Sequence, residues 1–218
     1  MMKKIFALVL ILLLAASAAW ADSTPLPAPE KAGGMSLLQA LSERHSAREF
    51  ADTDLTPQQL SNLLWAAAGV NRPDGKKVYP TALGIQDTLV YVLTREGVYK
   101  YDPEANALSL VEEGDHRMDT TTGQDFAGKA AVNLAYVHDA SLWDSLRNMK
   151  GWSTPKELVV QWGFAHTGAA MQNAYLYAAS QGWNAVVRGS FDQAKLSKLL
   201  KLSEGQSVTL VQSIGPKP

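Results

Sequence analysis

From Pro155 to Gln181 nearly every position suits a helix, and the apolar residues fall on both of its faces. Leu158, Trp162, Ala165, Ala169, Asn173 and Leu176 recur at three- to four-residue spacing, while Val160, Phe164, Ala170 and Tyr177 line the opposite side. At about 1.5 Å per residue such a helix is roughly 40 Å long, enough to run through a whole domain. The pattern predicts a helix buried nearly all round. Gly163 and Gly168 in its interior each cost roughly 1 kcal/mol relative to Ala, and close packing against another backbone would explain that cost.

The rest of the chain must cover this helix. Four segments open with a hydroxyl residue and a Glu or Gln three positions on: Ser36/Gln39, Thr56/Gln59, Thr154/Glu157 and Ser190/Gln193. Such a pair can close a helix start reciprocally, and Pro57 and Pro155 suit the first helical position. Helices are predicted over Ser36–His45, Pro57–Ala68, Pro155–Gln181 and Phe191–Leu200, with a short one near Ser141–Met149. Strands are predicted over Thr88–Thr94, Val98–Tyr101, Ala107–Val111, Ala131–His138, Asn184–Val187 and Ser207–Ile214, with hairpin turns at Arg95–Gly97 and Asp102–Asn106. Three strands in meander order, then strand, long helix and two more strands, predict an α+β domain. Its sheet is mainly antiparallel or mixed and is flanked by helices.

The N-terminus reads as an address. Lys3 and Lys4 precede the apolar run Ile5–Ala16, and Ala19-Trp20-Ala21 is a small-x-small cleavage site before Asp22. The run falls short of the ~20 apolar residues of a membrane span. The expected layout is a signal peptide at 1–21, an extended leader at 22–35 whose prolines and paired glycines discourage helix and strand, and one domain at 36–218. The product is periplasmic or secreted, with no membrane attachment after cleavage. The sequence has no cysteine, which removes lipoprotein acylation, disulfides and thiolate chemistry. A formal charge of −1 argues against a nucleic-acid partner.

Familiar catalytic constellations are missing. His45, His116, His138 and His166 lie far apart in sequence without ligand spacing, so no metal site is expected, and Asp115/His116 and His138/Asp139 read as solvated turn pairs. Trp152, Trp162 and Trp183 read as packing residues, and Gly123–Gly128 as an ordinary loop. What remains is Arg44-His45-Ser46-Ala47-Arg48, where the first helix gives way to a loop. Two guanidiniums and a hydroxyl could surround a phosphate. On spacing alone the plainer reading is that both arginines favour the negative helix end and point into water.

Ser42–Phe50 (SERHSAREF) resembles the opening motif of the FMN-dependent nitroreductase family. Leu63–Asp74, Val78–Ala82 and Gly97–Pro103 are similar to the branch of that family that holds azoline-forming dehydrogenases. Gly168–Trp183 resembles the family's central dimerisation helix, Gly189-Ser190-Phe191 its flavin-side turn, and Ser213–Pro216 its last strand. The resemblance implies a nitroreductase-like fold, an intertwined homodimer with FMN in the interface, and hydride transfer through flavin N5 to or from a small organic substrate. It places Arg44, Ser46 and Arg48 on the FMN phosphate and ribityl chain, with His45 beside them. The family's P-S-x-x-N-x-Q-P stretch, which faces the flavin ring, falls on Pro80–Asp87 and brings in Thr81, Gly84 and Gln86. Gly84 stands at the Asn position and Asp87 at the last Pro. Val187, Arg188 and Gly189 would run past the redox face. Lys217 is the candidate for the basic residue after the last strand. No general acid or base emerges, and the motif departures leave a catalytically silent flavin or ligand binder as the alternative.

Overall fold

A computed structural model describes residues 23–144 and 154–218. Numbered in chain order, the elements are β1 (Ser23–Pro25), α1 (Leu37–Glu43), α2 (Pro57–Ala68), β2 (Thr88–Leu93), β3 (Gly97–Asp102), β4 (Ala107–Glu113), β5 (Val132–Asp139), α3 (Lys156–Ser180), β6 (Asn184–Arg188), α4 (Gln193–Leu199) and β7 (Gln206–Gly215). All seven strands join one antiparallel sheet in the order β1-β4-β3-β2-β5-β7-β6.

Side chains alternate across a pleated strand, so each strand feeds two cores. Val90 and Val92 of β2, with Val132, Leu134 and Tyr136 of β5, pack against Leu63 and Leu64 of α2 and Ala170, Ala174 and Ala178 of α3. Tyr91, Leu93, Ala135 and Val137 face the other way, toward Leu196 and Leu200 at α4. The result is a sheet with α2 and α3 on one face and α4 on the other. It is the α+β architecture predicted, an antiparallel sheet flanked by helices, with the long helix packed against one face.

The helix starts separate good signatures from weak ones. Thr56 and Gln59 form the full reciprocal box at α2, and Ser36 accepts from the Gln39 N–H at α1. The other two boxes do not form. At α3 the N-cap is Pro155, one residue later than the motif requires, and it has no hydroxyl to offer. Before α4 the capping oxygen comes from Asp192, which accepts from the Lys195 N–H, while the Ser190 hydroxyl bonds to Thr122. Of the short helix expected near Ser141–Met149, Ala140–Trp143 is a 3-10 turn and the remainder lies outside the described residues, as does Trp152.

Two further expectations need correction. The leader is not free of regular structure: Ser23–Pro25 pairs with β4, and Pro27 and Ala28 accept hydrogen bonds from Ser61 and Gln58 of α2. Proline is tolerated there because β1 is an edge strand. Nor is α3 buried all round, since Val160 and Phe164 are about half exposed, at 49% and 48%. Gly163 does sit in a tight place, with its missing Cβ 2.5 Å from the His138 ring, so a side chain rather than a backbone occupies the room. At Gly168 nothing lies within 4 Å. Trp162 stacks on Trp143 and Trp183 meets Tyr177 edge-on, as packing residues should.

Candidate functional site

Arg44 is the C-cap of α1, and its extended backbone turns the chain out of the helix toward β6. From there the segment runs beside the outer edge of the sheet, where the Ala47 N–H donates to the Ala185 carbonyl at 3.0 Å. Tyr175 of α3 completes the junction. Its phenol oxygen accepts from the Val187 N–H at 2.8 Å and lies 2.9 Å from the Ser46 hydroxyl, and the Arg44 guanidinium rests 5.3 Å from its ring centre. His45 donates through Nδ1 to the Glu43 carbonyl, since a carbonyl can only accept. His45 and Lys217 share a small cavity with Tyr175 and Trp183. The structure thus brings Arg44, His45, Ser46, Val187 and Lys217 together around one tyrosine, which the sequence had not singled out.

A second aromatic ring organises the other cations. Arg48 and Arg188 each hold a guanidinium 5.9 Å from the centre of Phe126. Arg188 is only 4% exposed because its parity on β6 directs it to the face opposite α3. It donates to the Thr120 carbonyl and hydroxyl, to Asn133 Oδ1 and to the Ser213 hydroxyl. Burial pulls its pKa down to about 10, which still leaves it charged at neutral pH. The arginine ion pairs among the described residues belong to Arg95 and Arg117, so Arg44 and Arg48 have no carboxylate partner there. Arg44 and Arg48, on either side of Ser46 in the chain but resting on different rings, are cations without a carboxylate partner among the described residues, the kind of group that takes a phosphate such as the tail of FMN.

The stretch expected to face the flavin ring lies between α2 and β2. Thr81 leads into a 3-10 turn, Ala82–Gly84, in which Leu83 and Gly84 both take left-handed backbone, φ +54° and +75°. This explains the residue at 84: Asn is among the few side chains that tolerate this region and Gly suits it better, so the exchange keeps the turn while deleting a polar side chain. The Gln86 amide donates to the Gly75 carbonyl, and its Oε1 is buried without a partner.

Asp87, at the position of the family's last proline, is fully buried. His166 Nδ1 lies 2.7 Å from Oδ1 and Trp143 Nε1 donates to Oδ2 at 2.8 Å. His138 Nδ1 lies 3.3 Å from Oδ2 without the alignment of a hydrogen bond. Burial works to raise the carboxyl pKa, but these neighbours outweigh it and hold the group well below the usual carboxylate range. Nearby, Lys77 Nζ donates to the Thr88 carbonyl at 2.9 Å, and burial lowers its pKa to about 8 against the opposing pull of Asp87 and Glu104. Sequence reasoning missed this cluster because His138, Trp143 and His166 lie 51 to 79 residues from Asp87. The signals available were a buried-face histidine three residues after a helical glycine and an aspartate entering an apolar strand. The reading of His138 as a solvated turn residue is overturned, since β5 carries it onto the α3 face and buries it.

The sequence profile of the Nitroreductase family matches residues 41–216. A nitroreductase-type protein of Methanocaldococcus jannaschii is 30% identical over 178 residues, covering 77% of this chain and 85% of that protein. A solved nitroreductase-type structure from Ralstonia eutropha superposes with a TM-score of 0.81 at 38% identity, covering 90% of each chain. The NADPH:FMN oxidoreductase of Vibrio harveyi, solved with NAD+, shares the fold at TM-score 0.61 and 19% identity, over 83% of this chain and 68% of that one. A profile match running from Leu41 to Pro216, on a seven-stranded sheet with the matching architecture, shows that this chain belongs to the nitroreductase family.

Proposed function

We propose that the chain is an exported FMN-dependent oxidoreductase acting on a small organic substrate, akin to the azoline-forming branch of its family. The observation that carries this reading is the pair Arg44 and Arg48, without carboxylate partners among the described residues and on either side of Ser46 in the chain where α1 meets the sheet edge. These residues would hold the phosphate, and the backbone of Val187–Gly189 would border the ring. Bound FMN supplies hydride chemistry at ring N5. The protein's part is to orient the ring and exclude water, with Arg188 contributing a fixed positive charge behind β6.

A second copy of the chain belongs in this reading. The cavity at His45, Tyr175 and Lys217 holds only about 60 Å³, far below the ~300–1,000 Å³ of a small-molecule pocket, so in this reading the rest of the flavin site comes from a partner subunit. Val160 and Phe164 on α3 and Leu37, Leu38 and Leu41 on α1 are exposed apolar side chains suited to a homodimer interface. Export follows from the Lys3–Ala21 pattern, and N-terminal sequencing of the secreted or periplasmic protein should begin at Asp22. Because reduced nicotinamides are cytosolic, an exported enzyme calls for another donor or an oxidisable substrate.

The test is the visible spectrum of the purified mature protein with and without added FMN, followed by a screen of quinols and reduced nicotinamides as donors. A colourless protein that leaves FMN fluorescence unquenched rules the proposal out. One observation favours a second reading: Gly84 presents no side chain and Gln86 is committed to Gly75. A silent flavin binder would turn yellow but be bleached and restored by no donor and acceptor pair.

A further inference from the structure

The Ala82–Gly84 turn is held from outside by a side chain of α3. The Ala82 N–H donates to His166 Nε2 at 2.8 Å. A backbone N–H cannot accept, so Nε2 must offer a lone pair, and the ring proton of the neutral imidazole must then sit on Nδ1. Nδ1 lies 2.7 Å from Asp87 Oδ1 and donates to it. One unbroken line therefore runs from the buried carboxylate through the imidazole to the turn. Asp87 cannot move to relax it, because Trp143 holds its other oxygen and the Asp139 N–H donates to its carbonyl at 2.8 Å.

The turn needs such a hold. Leu83 at φ +54° is a non-glycine residue in left-handed backbone, and Gly84 beside it is free to adopt many alternatives. Its internal hydrogen bonds, Gly84 N to Thr81 O at 3.3 Å and Ile85 N to Ala82 O at 3.1 Å, are at the long end of the range. Leu83 is exposed, so packing does not fix it.

We infer that His166 and Asp87 are positioning residues, which set the height of the Ala82–Gly84 turn against the flavin ring in place of the proline that Asp87 replaces. This rests on the FMN reading above. It makes the Asp87 departure from the family pattern a substitution of one anchoring device for another. A proline would fix its own φ, whereas the carboxylate fixes a histidine that in turn fixes the backbone.

The test exploits the two ring nitrogens separately. His166→Asn presents an amide near the Nδ1 position, keeps Asp87 partnered and releases Ala82. His166→Gln presents its amide oxygen near Nε2, keeps Ala82 held and gives up the Asp87 contact. Each is prepared as the FMN-loaded full-length mature protein, and the flavin midpoint potential and visible band shape are measured. In His166→Asn the loss of one neutral hydrogen bond, about 1 kcal/mol, should change the oxidised-to-reduced ratio about fivefold. For a two-electron couple this is a displacement of about 20 mV, with an altered band shape. His166→Gln should stay close to wild type. FMN affinity should remain within about threefold of wild type in both, because the phosphate contacts are untouched. Equal displacement in the two variants, or none in His166→Asn, overturns the positioning role. A wild-type protein that takes up no FMN overturns the reading beneath it. In that case the anchor itself is still decided by NMR of the FMN-free protein, where a scalar coupling between Ala82 N and His166 Nε2 is expected and its absence removes the hydrogen bond.

Discussion

Removing Arg44 and Arg48 together tests the phosphate cradle, and riboflavin provides the matching control because it is FMN without the phosphate. In the proposed site each guanidinium would give at least one charge-assisted hydrogen bond, about 1.5–3 kcal/mol. Both side chains reach solvent, so the low end applies and the pair contributes roughly 3 kcal/mol, or about a hundredfold in dissociation constant. Arg44→Ala/Arg48→Ala should therefore weaken FMN binding about a hundredfold while leaving riboflavin binding within about threefold. The assay is quenching of flavin fluorescence at fixed salt, with the unfolding midpoint checked alongside, since Arg44 at the α1 C-cap carries at most ~1 kcal/mol of helix-end stability. Equal losses for FMN and riboflavin would mean the arginines shape the fold or the ring site rather than the phosphate site. An unchanged FMN constant would remove them from the site altogether.

Three further outcomes are expected. Asp87→Leu should strip the His166 Nδ1 and Trp143 Nε1 donors of their acceptor in a fully buried position, costing about 2–5 kcal/mol in a urea titration; a loss under about 0.5 kcal/mol refutes the cluster. Lys77 is depressed to about 8 against ~10.4 unfolded. The unfolded chain therefore binds more protons between these values, and stability should rise with pH from about 8 to 9.5 by about 1–2 kcal/mol, a rise that Lys77→Met should abolish. Above that window the buried tyrosines, whose pKa values burial raises, turn the slope downward. Finally, Phe164→Glu should dissociate a homodimer built on α3, raising its dissociation constant about thirtyfold or more, and sedimentation equilibrium that leaves the mass unchanged would exclude that face.

Much of the fold was legible because its cues are local. The Arg95–Gly97 turn joins two strands of matching alternation, and Thr56, Pro57 and Gln59 form a complete helix start within four residues. Cues that compete at short range misled: Ser190 and Asp192 both offer a capping oxygen, and only the path of the chain decides between them. The Arg44–Arg48 segment could be singled out as a candidate because it is contiguous. Tyr175 could not, since a tyrosine in an apolar helix reads as packing until β6 is seen to present the Val187 N–H to its hydroxyl. The direction of Arg188 depended on which parity of β6 faces α3, which periodicity alone leaves open. The Asp87 cluster depended on β2, β5 and α3 meeting at one level, a long-range fact that no window of sequence contains.

The placement of the Arg44–Arg48 segment beside β6 has a consequence for how this protein can change. β6 is the last strand of the sheet, and an unguarded last strand recruits other chains. Here Ala47 and Tyr175 act as its guard: the Ala47 N–H occupies the Ala185 carbonyl and the Tyr175 hydroxyl occupies the Val187 N–H. Mutational drift that discards this segment would therefore uncover a sticky margin as well as remove the proposed phosphate contacts. Selection for solubility alone gives a reason to keep the segment, whether or not the cofactor is retained.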